Sequence, residues 1–331
     1  MDNFWKEKKV LVTGAGGFIG SHLVEKLVLS GAQVRAFVRY NSRGDPGLLK
    51  LIPGEILAKL EIIPGDLRDM QSILDATLDC QYVYHLGALI SIPYSYLHPV
   101  EVAENNLVST LNVLSACKEN GVERMVHTSS SEVYGTALHV PIDESHPLQG
   151  QSPYSASKIG ADKLVESFFC TYNLPAVTIR PFNTYGPRQS ARAVIPTIIT
   201  QALTQDEIYL GNLDTARDFT YIDDTVNGFL QAATAENIDG ETINLGTGST
   251  IKIGELVNKI TRIIGVQPEI VTDPYRLRPE KSEVLKLVSD NSLASKMLDW
   301  QPEVTLDKGL EQTIDWIKQN LDQYKIGTYE L

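Results

Sequence analysis

Short continuous runs of apolar, often β-branched residues alternate with longer amphipathic stretches through the first half of the chain. Continuous apolar runs are typical of parallel strands that are covered by helices on both faces. The alternation therefore predicts a doubly wound α/β fold around a parallel sheet. The predicted strands cover residues 9–14, 33–39, 60–66, 82–87, 124–130 and 176–181.

After residue 181 this rhythm loosens, and Pro and Arg become frequent. We predict a larger domain over residues 1–180 and a smaller α/β cap domain mainly over residues 181–331. A strand-like segment near residue 245 favours a return of the chain to the main sheet within residues 212–247. Helices are predicted near residues 102–119, 155–170, 195–204, 253–265 and 307–321.

Composition narrows the class of protein. The 331 residues are 43% hydrophobic with a formal net charge of −12, which excludes general disorder and argues against binding nucleic acid through a basic surface. No stretch predicts a membrane span or a signal peptide, and the three widely spaced cysteines read as buried thiols in a reducing compartment. We therefore expect a cytoplasmic enzyme or binding protein without a metal site.

A glycine-rich turn joins the first predicted strand to the first helix. Such a turn lets backbone N–H groups and the helix dipole meet a pyrophosphate, so its place at the first βα junction predicts a Rossmann-type dinucleotide site. A tight turn without a ligand is the alternative. The residues of this turn expected to bind the cofactor are Gly14, Gly17, Phe18, Ile19 and Gly20.

The end of the second strand indicates which dinucleotide binds. Arg39, Ser42 and Arg43 stand where an acidic residue would favour NAD, and guanidinium groups suit a 2′-phosphate. We predict NADP, with NAD as the alternative and a solvated surface loop as the competing interpretation. Asp66 is placed to accept from the adenine amine or simply to cap a turn. Leu67, Leu86 and Ala88, which follow the third and fourth strands, complete the predicted cofactor set.

A candidate catalytic group lies at the end of the fifth strand and the start of the next helix. Tyr154 and Lys158 are four residues apart and share one helix face, and a neighbouring ammonium favours a tyrosinate base. Ser130 and Glu132 end the preceding strand, at the edge where open α/β sheets hold their ligands. Tyr154 and Lys158 also belong to the predicted cofactor site.

Five segments together resemble the extended short-chain dehydrogenase/reductase family that acts on nucleotide sugars. They are GAGGFIG (14–20), SSSEVYG (129–135), YSASK (154–158), RPFNTYGPR (180–188) and RDFTYIDD (217–224). Within that family the chain is most similar to bacterial 4,6-dehydratases of UDP-N-acetylglucosamine of the retaining type. Its VRYNSR segment (38–43) is similar to that of GDP-mannose 4,6-dehydratases, which use NADP.

The resemblance implies a role for each catalytic residue. Tyr154 takes the O4 proton while hydride leaves C4, Ser130 positions O4, and Glu132 removes the C5 proton before water leaves C6. Lys158 orients the nicotinamide ribose and lowers the pKa of Tyr154. Alternatives are a UDP-sugar 4-epimerase, a UDP-glucuronate decarboxylase and a non-catalytic dinucleotide-binding regulator.

One position departs from a related pattern. dTDP-glucose 4,6-dehydratases carry Asp-Glu where this chain has Ser131 and Glu132, so the acid that protonates the C6 hydroxyl is unassigned. GDP-mannose dehydratases also have a Ser-Glu pair, so dehydration remains compatible with the sequence. Either Glu132 serves as base and acid, or Ser131 relays a proton through water.

The resemblance also implies the substrate contacts and the assembly. Asn183, Arg217 and Arg278 match positions that contact the diphosphate or ribose, and Ala193 and Val194 line the nucleotide pocket. The expected substrate is a nucleotide sugar, most simply UDP-linked. The helices at residues 102–119 and 155–170 resemble those of a four-helix homodimer interface, with packing of their apolar residues inside a single chain as the alternative.

Overall fold

The computed structural model describes residues 4–325, so residues 1–3 and 326–331 of the two predicted domains lie outside the described residues. A seven-stranded parallel sheet of the Rossmann type forms the centre, in the order β3-β2-β1-β4-β5-β6-β11. Its strands are β1 (Lys9–Thr13), β2 (Gln33–Arg39), β3 (Glu61–Gly65), β4 (Tyr82–His85), β5 (Arg124–Thr128), β6 (Ala176–Pro181) and β11 (Thr242–Leu245).

The sheet is buried on both faces, as its continuous apolar strands predict. Val10 and Val12 of β1 face one apolar cluster, whereas Leu11 faces a second cluster with Phe37 and Val83. Successive side chains of a strand point to opposite faces, so both faces need apolar residues. The helices that cover them are α1 (Phe18–Leu29), α2 (Gly54–Leu57), α3 (Met70–Thr77), α5 (Pro99–Glu119), α6 (Pro153–Tyr172), α8 (Ile222–Thr234) and α10 (Ser292–Leu298), whereas α4 (Ile92–Leu97) packs on α5 and α6.

Three two-stranded sheets lie in the chain after β6. They pair β7 (Asn183–Tyr185) with β10 (Phe219–Tyr221), β9 (Ala216–Arg217) with β12 (Ile251–Lys252), and β8 (Glu207–Leu210) with β13 (Glu269–Thr272). The helices α7 (Val194–Thr204), α9 (Ile253–Ile264) and α11 (Leu306–Gln319) belong to this part of the chain. Strand β11 nevertheless pairs with β6 of the main sheet. The division into two domains at residue 180 stays a prediction.

The cysteines differ in one respect from expectation. Cys80 and Cys117 are buried free thiols, but Cys170 is exposed, so the prediction of three buried thiols is wrong for that residue. Cys170 lies near the end of α6, where the helix leaves the core and most neighbouring side chains are exposed. Within residues 4–325, none of the helices combines the length and apolar character that crossing a bilayer requires.

Candidate active site

The glycine-rich turn is shaped by close backbone contacts. Gly14 has a φ of +67°, and a Cβ at this position would lie 2.8 Å from the backbone nitrogen of Gly87. Gly17 precedes α1, and within residues 4–325 no side chain caps that helix and no acidic residue occupies its first turn. The helix therefore presents backbone donors and the positive end of its dipole. This turn fits the pyrophosphate of a dinucleotide.

The loop after β2 packs against that turn. Leu48 donates its backbone N–H to the carbonyl of Gly16 at 2.9 Å. Arg39, Ser42 and Arg43 are exposed on this loop, and the backbone N–H of Arg43 is held by the side chain of Asn41. The loop that carries Ser42 and Arg43 thus packs against the glycine-rich turn, and the contact of Arg39, Ser42 and Arg43 with a 2′-phosphate stays a prediction.

The carboxylate of Asp66 is hydrogen-bonded to another residue of the protein. Its carboxylate accepts two side-chain hydrogen bonds from Arg68, at 2.6 and 3.0 Å, which lower the pKa of Asp66 to about 2. It also accepts the backbone N–H of Arg68, so it caps a turn. Its contact with adenine stays a prediction.

The remaining predicted cofactor residues border the same edge of the sheet. Leu86 follows β4 and donates its N–H to the carbonyl of Thr13, beside the glycine-rich turn, and Ala88 follows two residues later. Leu67 follows β3, and its side chain lies against Gly87. His85 is instead a packed core histidine, because Thr13 and Thr110 are its hydrogen-bonding partners.

A capping box starts the helix that carries the tyrosine and the lysine. Ser152 accepts the backbone N–H of Ser155, and Ser155 accepts the backbone N–H of Ser152. Tyr154 and Lys158 therefore sit in the first turns of α6, and both are buried. Burial disfavours the ammonium form, and it lowers the pKa of Lys158 to about 8.

Ser130 joins this pair to the end of β5. A hydrogen bond with Ser130 lowers the pKa of Tyr154, but burial outweighs it and raises that pKa to about 12. Desolvation of the phenolate thus dominates among the protein's own groups, and the lowering of the Tyr154 pKa by Lys158 together with the positive charge of the nicotinamide stays a prediction. Ser130 also accepts the backbone N–H of Glu132 at 3.2 Å, which brings the carboxylate into the same short segment.

A cavity of about 450 Å³ is lined by residues of α4 and of the chain after β6. It brings together five of the predicted substrate residues, which come from widely separated parts of the chain. They are Asn183, Ala193, Val194, Arg217 and Arg278. The sixth, Glu132, does not line the cavity, but its Oε2 lies 3.8 Å from Nη1 of Arg278, which does.

The cavity wall carries charges that suit an anion. Arg217 Nη2 lies 3.7 Å from Glu283 Oε1, and burial lowers the pKa of Arg217. Asn183 Oδ1 and Arg278 Nη1 are buried without a hydrogen-bond partner in the part of the chain that the structure describes. Buried polar atoms without partners are rare in folded proteins and suit a site where a polar ligand binds.

A sequence model of the GDP-mannose 4,6 dehydratase family matches residues 11–313. The chain belongs to this family. It is an NAD(P)-dependent enzyme of the extended short-chain dehydrogenase/reductase class, which includes nucleotide-sugar dehydratases and epimerases.

Relatives of this dehydratase-family chain carry different activities in their names. The putative UDP-glucose 4-epimerase of Methanocaldococcus jannaschii is 31% identical over 319 residues, covering 94% of this chain and 99% of that protein. The dTDP-D-glucose 4,6-dehydratase of Mus musculus is 29% identical over 326 residues, covering 96% and 91%. A crystal structure of the dTDP-glucose 4,6-dehydratase DesIV from Streptomyces venezuelae, with NAD and TYD bound, has a TM-score of 0.86 at 27% identity and covers 96% and 99%.

Sequence reasoning missed polar residues of this family member's site. Glu283 faces Arg217, and its only sequence signal is its place shortly after Arg278 in a charged segment. Tyr96 lines the cavity and shares a hydrogen bond with Ser282 at 2.7 Å, and neither residue has a local motif.

Proposed function

We propose that this enzyme is a nucleotide-sugar 4,6-dehydratase that converts UDP-N-acetylglucosamine to its 4-keto-6-deoxy product. The observation that carries the proposal is the position of Glu132. Its carboxylate follows Ser130 by two residues, and Ser130 bonds to Tyr154. Oxidation at C4 needs only the tyrosine and its neighbours, whereas elimination of water across C5 and C6 also needs a base for the C5 proton.

The side chains divide the work as follows. Tyr154 accepts the O4 proton, and Ser130 donates to or accepts from O4 to hold it in line. The ketone at C4 acidifies the C5 hydrogen, which Glu132 removes and passes to the C6 hydroxyl as this group leaves as water. When hydride is added at C6, a proton from solvent is added at C5, so that C5 carries the solvent label. Lys158, as an ammonium, stabilises the tyrosinate and binds the nicotinamide ribose. Bound NADP supplies the acceptor for the C4 hydride and its donor at C6.

The charges of the cavity support a nucleotide diphosphate as the part of the substrate that binds there. Arg217 and Arg278 offer guanidinium donors to the diphosphate, and Asn183 offers a polar contact beside them. Ala193 and Val194 lie at the start of α7 and provide the apolar wall against the base. The nucleotide therefore lies along one cavity while the sugar approaches Tyr154.

NADP is the proposed form of the cofactor. Arg39 and Arg43 are exposed beside the glycine-rich turn, and Ser42 lies between them, so three donors can converge on a 2′-phosphate. The neighbour DesIV was crystallised with NAD. We therefore expect the loop after β2 to set the preference of this chain for NADP, in contrast to the NAD bound by DesIV.

We also propose a homodimer formed through α5 and α6. Val108 and Leu111 on α5 are 39% and 40% exposed, and Tyr172 at the end of α6 is 51% exposed. Apolar side chains on two adjacent helices favour packing against a second copy.

The test of function is product analysis in deuterated water. Purified protein and UDP-N-acetylglucosamine should give a product with a C6 methyl group and deuterium at C5, measured by NMR. UDP-glucose, dTDP-glucose and GDP-mannose, tested in parallel, define the preferred sugar and nucleotide. A product without the C6 methyl group would overturn the proposal.

The names of several relatives favour a UDP-sugar 4-epimerase as the second candidate. Tyr154, Ser130 and Lys158 suffice for oxidation and reduction at C4, with no role for Glu132. An epimerase would return the C4 epimer with no solvent label, and Glu132→Gln would leave its rate near that of the wild type.

A further inference from the structure

A buried arginine outside the cavity joins the elements that carry the proposed catalytic residues. Arg180 lies near the end of β6 and is 5% exposed. Its Nε and Nη2 donate to Oδ2 of Asp162 at 3.2 and 2.9 Å, and its Nη1 donates to the hydroxyl of Tyr134 at 2.9 Å. The guanidinium also lies 5.0 Å from the centre of the Tyr134 ring.

Asp162 connects the arginine to the tyrosine and lysine of α6. It lies four residues after Lys158 and eight after Tyr154, so the three side chains share one face of the helix. Asp162 also accepts a hydrogen bond of 2.8 Å from Ser129, the residue before Ser130. The carboxylate thus fixes α6 against the end of β5.

Tyr134 connects the same arginine to the segment of Glu132. It ends the short 3₁₀ helix Ser131–Tyr134, two residues after the carboxylate. Its hydroxyl accepts from Arg180 and donates to Asn244 Oδ1 on β11 at 2.8 Å. Arg180 therefore contacts Asp162, on the helix of Tyr154 and Lys158, and Tyr134, on the short helix of Glu132.

We propose that Arg180 is a positioning residue that keeps Tyr154 and Lys158 in register with Glu132, an assignment that rests on the proposed dehydratase function. Arg180 is not among the described residues that line the cavity, so it acts through Asp162 and Tyr134 rather than on substrate. Replacing a buried ion pair by apolar residues often leaves stability unchanged or improved, so stability alone is a weak reason for this pair. The hydrogen bonds of Arg180 instead hold the elements that carry Tyr154 and Glu132, two residues that must reach the same sugar in successive steps.

The mildest test is Tyr134→Phe, which keeps the ring and removes only the hydroxyl between Arg180 and Asn244. We expect kcat to fall on the order of tenfold to a hundredfold, because a misplaced base costs rate steeply, while KM for the nucleotide sugar stays within about twofold. The kinetic isotope effect from C5-deuterated substrate should rise, and that from C4-deuterated substrate should not. Arg180→Lys keeps the charge but loses the fork geometry, and it should lower kcat with both isotope effects raised.

Tyr84→Phe is the matched control. The Tyr84 hydroxyl is fully buried and has no hydrogen-bond partner within residues 4–325, so its loss leaves the network intact. A purely structural Tyr134 would change the melting temperature but not the isotope effect. If the wild type gives a C6-methyl product and Tyr134→Phe matches Tyr84→Phe in kcat and isotope effects, the positioning role is wrong. If the wild type gives no such product, the dehydratase function fails, and this assignment fails with it.

Discussion

Glu132 Oε2 and Arg278 Nη1 lie 3.8 Å apart, although Glu132 follows β5 and Arg278 follows β13, much later in the chain. The proposed base for C5 thus faces a proposed ligand of the diphosphate, and that ligand lines the cavity. Binding of the nucleotide and removal of the C5 proton therefore depend on neighbouring charges.

Glu132→Gln should stop the reaction after oxidation at C4. The amide keeps the shape and the approach to Arg278 but cannot accept the C5 proton, so formation of the C6 methyl group should fall by at least about a hundredfold. NMR of the product and the incorporation of solvent deuterium measure this. Glu280→Gln changes an exposed carboxyl near Arg278 and should keep the wild-type rate. Wild-type formation of product by Glu132→Gln would contradict the assignment.

Arg278→Lys and Arg217→Lys should weaken binding of the nucleotide sugar more than they slow chemistry. Lysine keeps the charge but offers no paired donors, and we expect KM and the Kd for UDP to rise about tenfold, or about 1.4 kcal/mol. Steady-state kinetics and titration calorimetry measure the two constants. The control is Arg35→Lys, because Arg35 on β2 forms an ion pair with Glu61 on β3 and does not line the cavity. Unchanged Kd for UDP in both cavity variants would count against a diphosphate site there.

Arg39→Ala and Arg43→Ala should weaken binding of NADP and leave NAD almost unaffected. Each guanidinium removed takes a donor from the 2′-phosphate, so the Kd for NADP should rise about tenfold per residue and more steeply at low salt. Cofactor released from purified wild-type protein, identified by mass spectrometry, gives the resident form. Arg262→Ala on α9 is the control. Equal losses for NAD and NADP would contradict the 2′-phosphate role.

Lys158→Met should abolish activity yet stabilise the fold at neutral pH. Burial lowers the pKa of Lys158 from 10.5 to about 8, so the folded protein at pH 7 bears the cost of a buried ammonium, about 3 kcal/mol. That cost is fully present below pH 8 and disappears as pH rises towards 10.5, where the unfolded chain also loses the proton. Denaturant unfolding at pH 7 and pH 10 should show the gain from Lys158→Met shrinking. Lys163→Met, at an exposed ion pair on the same helix, should show no such gain, and an equal gain at both pH values would contradict the burial argument.

Val108→Glu combined with Leu111→Glu should separate the proposed homodimer. Two carboxylates on the exposed face of α5 would repel their counterparts in a second copy. Light scattering coupled to gel filtration measures the mass. Leu29→Glu, at a 66% exposed position of α1, should leave the dimer intact. A monomeric wild type would refute the dimer directly.

Much of the fold could be predicted because its signals are local. Each strand of the sheet is a continuous apolar run, and the turn at Gly14 is marked by its glycine spacing together with its place between the first strand and the first helix. The helices predicted at residues 102–119 and 155–170 agree within about three residues with α5 and α6, because the apolar spacing marks them. The return of β11 to the sheet was visible as one short apolar run.

The electrostatics of the site could not be predicted in the same way. The pKa of Tyr154 depends on how completely the phenol is buried. No local pattern reports that burial, so the rise of this pKa to about 12 could not be predicted. The hydrogen bond between Arg180 and Asp162 joins β6 to α6. In the sequence each residue lies in a separate segment, so no local pattern predicts that they pair. Glu283 meets Arg217 only because the chain folds back over the cavity.

Strand β11 closes one side of the sheet but is synthesised only after the elements β7 to β10. Until Leu245 has left the ribosome, the outer edge of β6 has no neighbour. An unpaired edge of a sheet is a template for wrong pairing with other chains. Fragments that end before Thr242 should therefore aggregate, and any chimaera that exchanges the chain after residue 180 between relatives must keep residues 242–245 with the sheet.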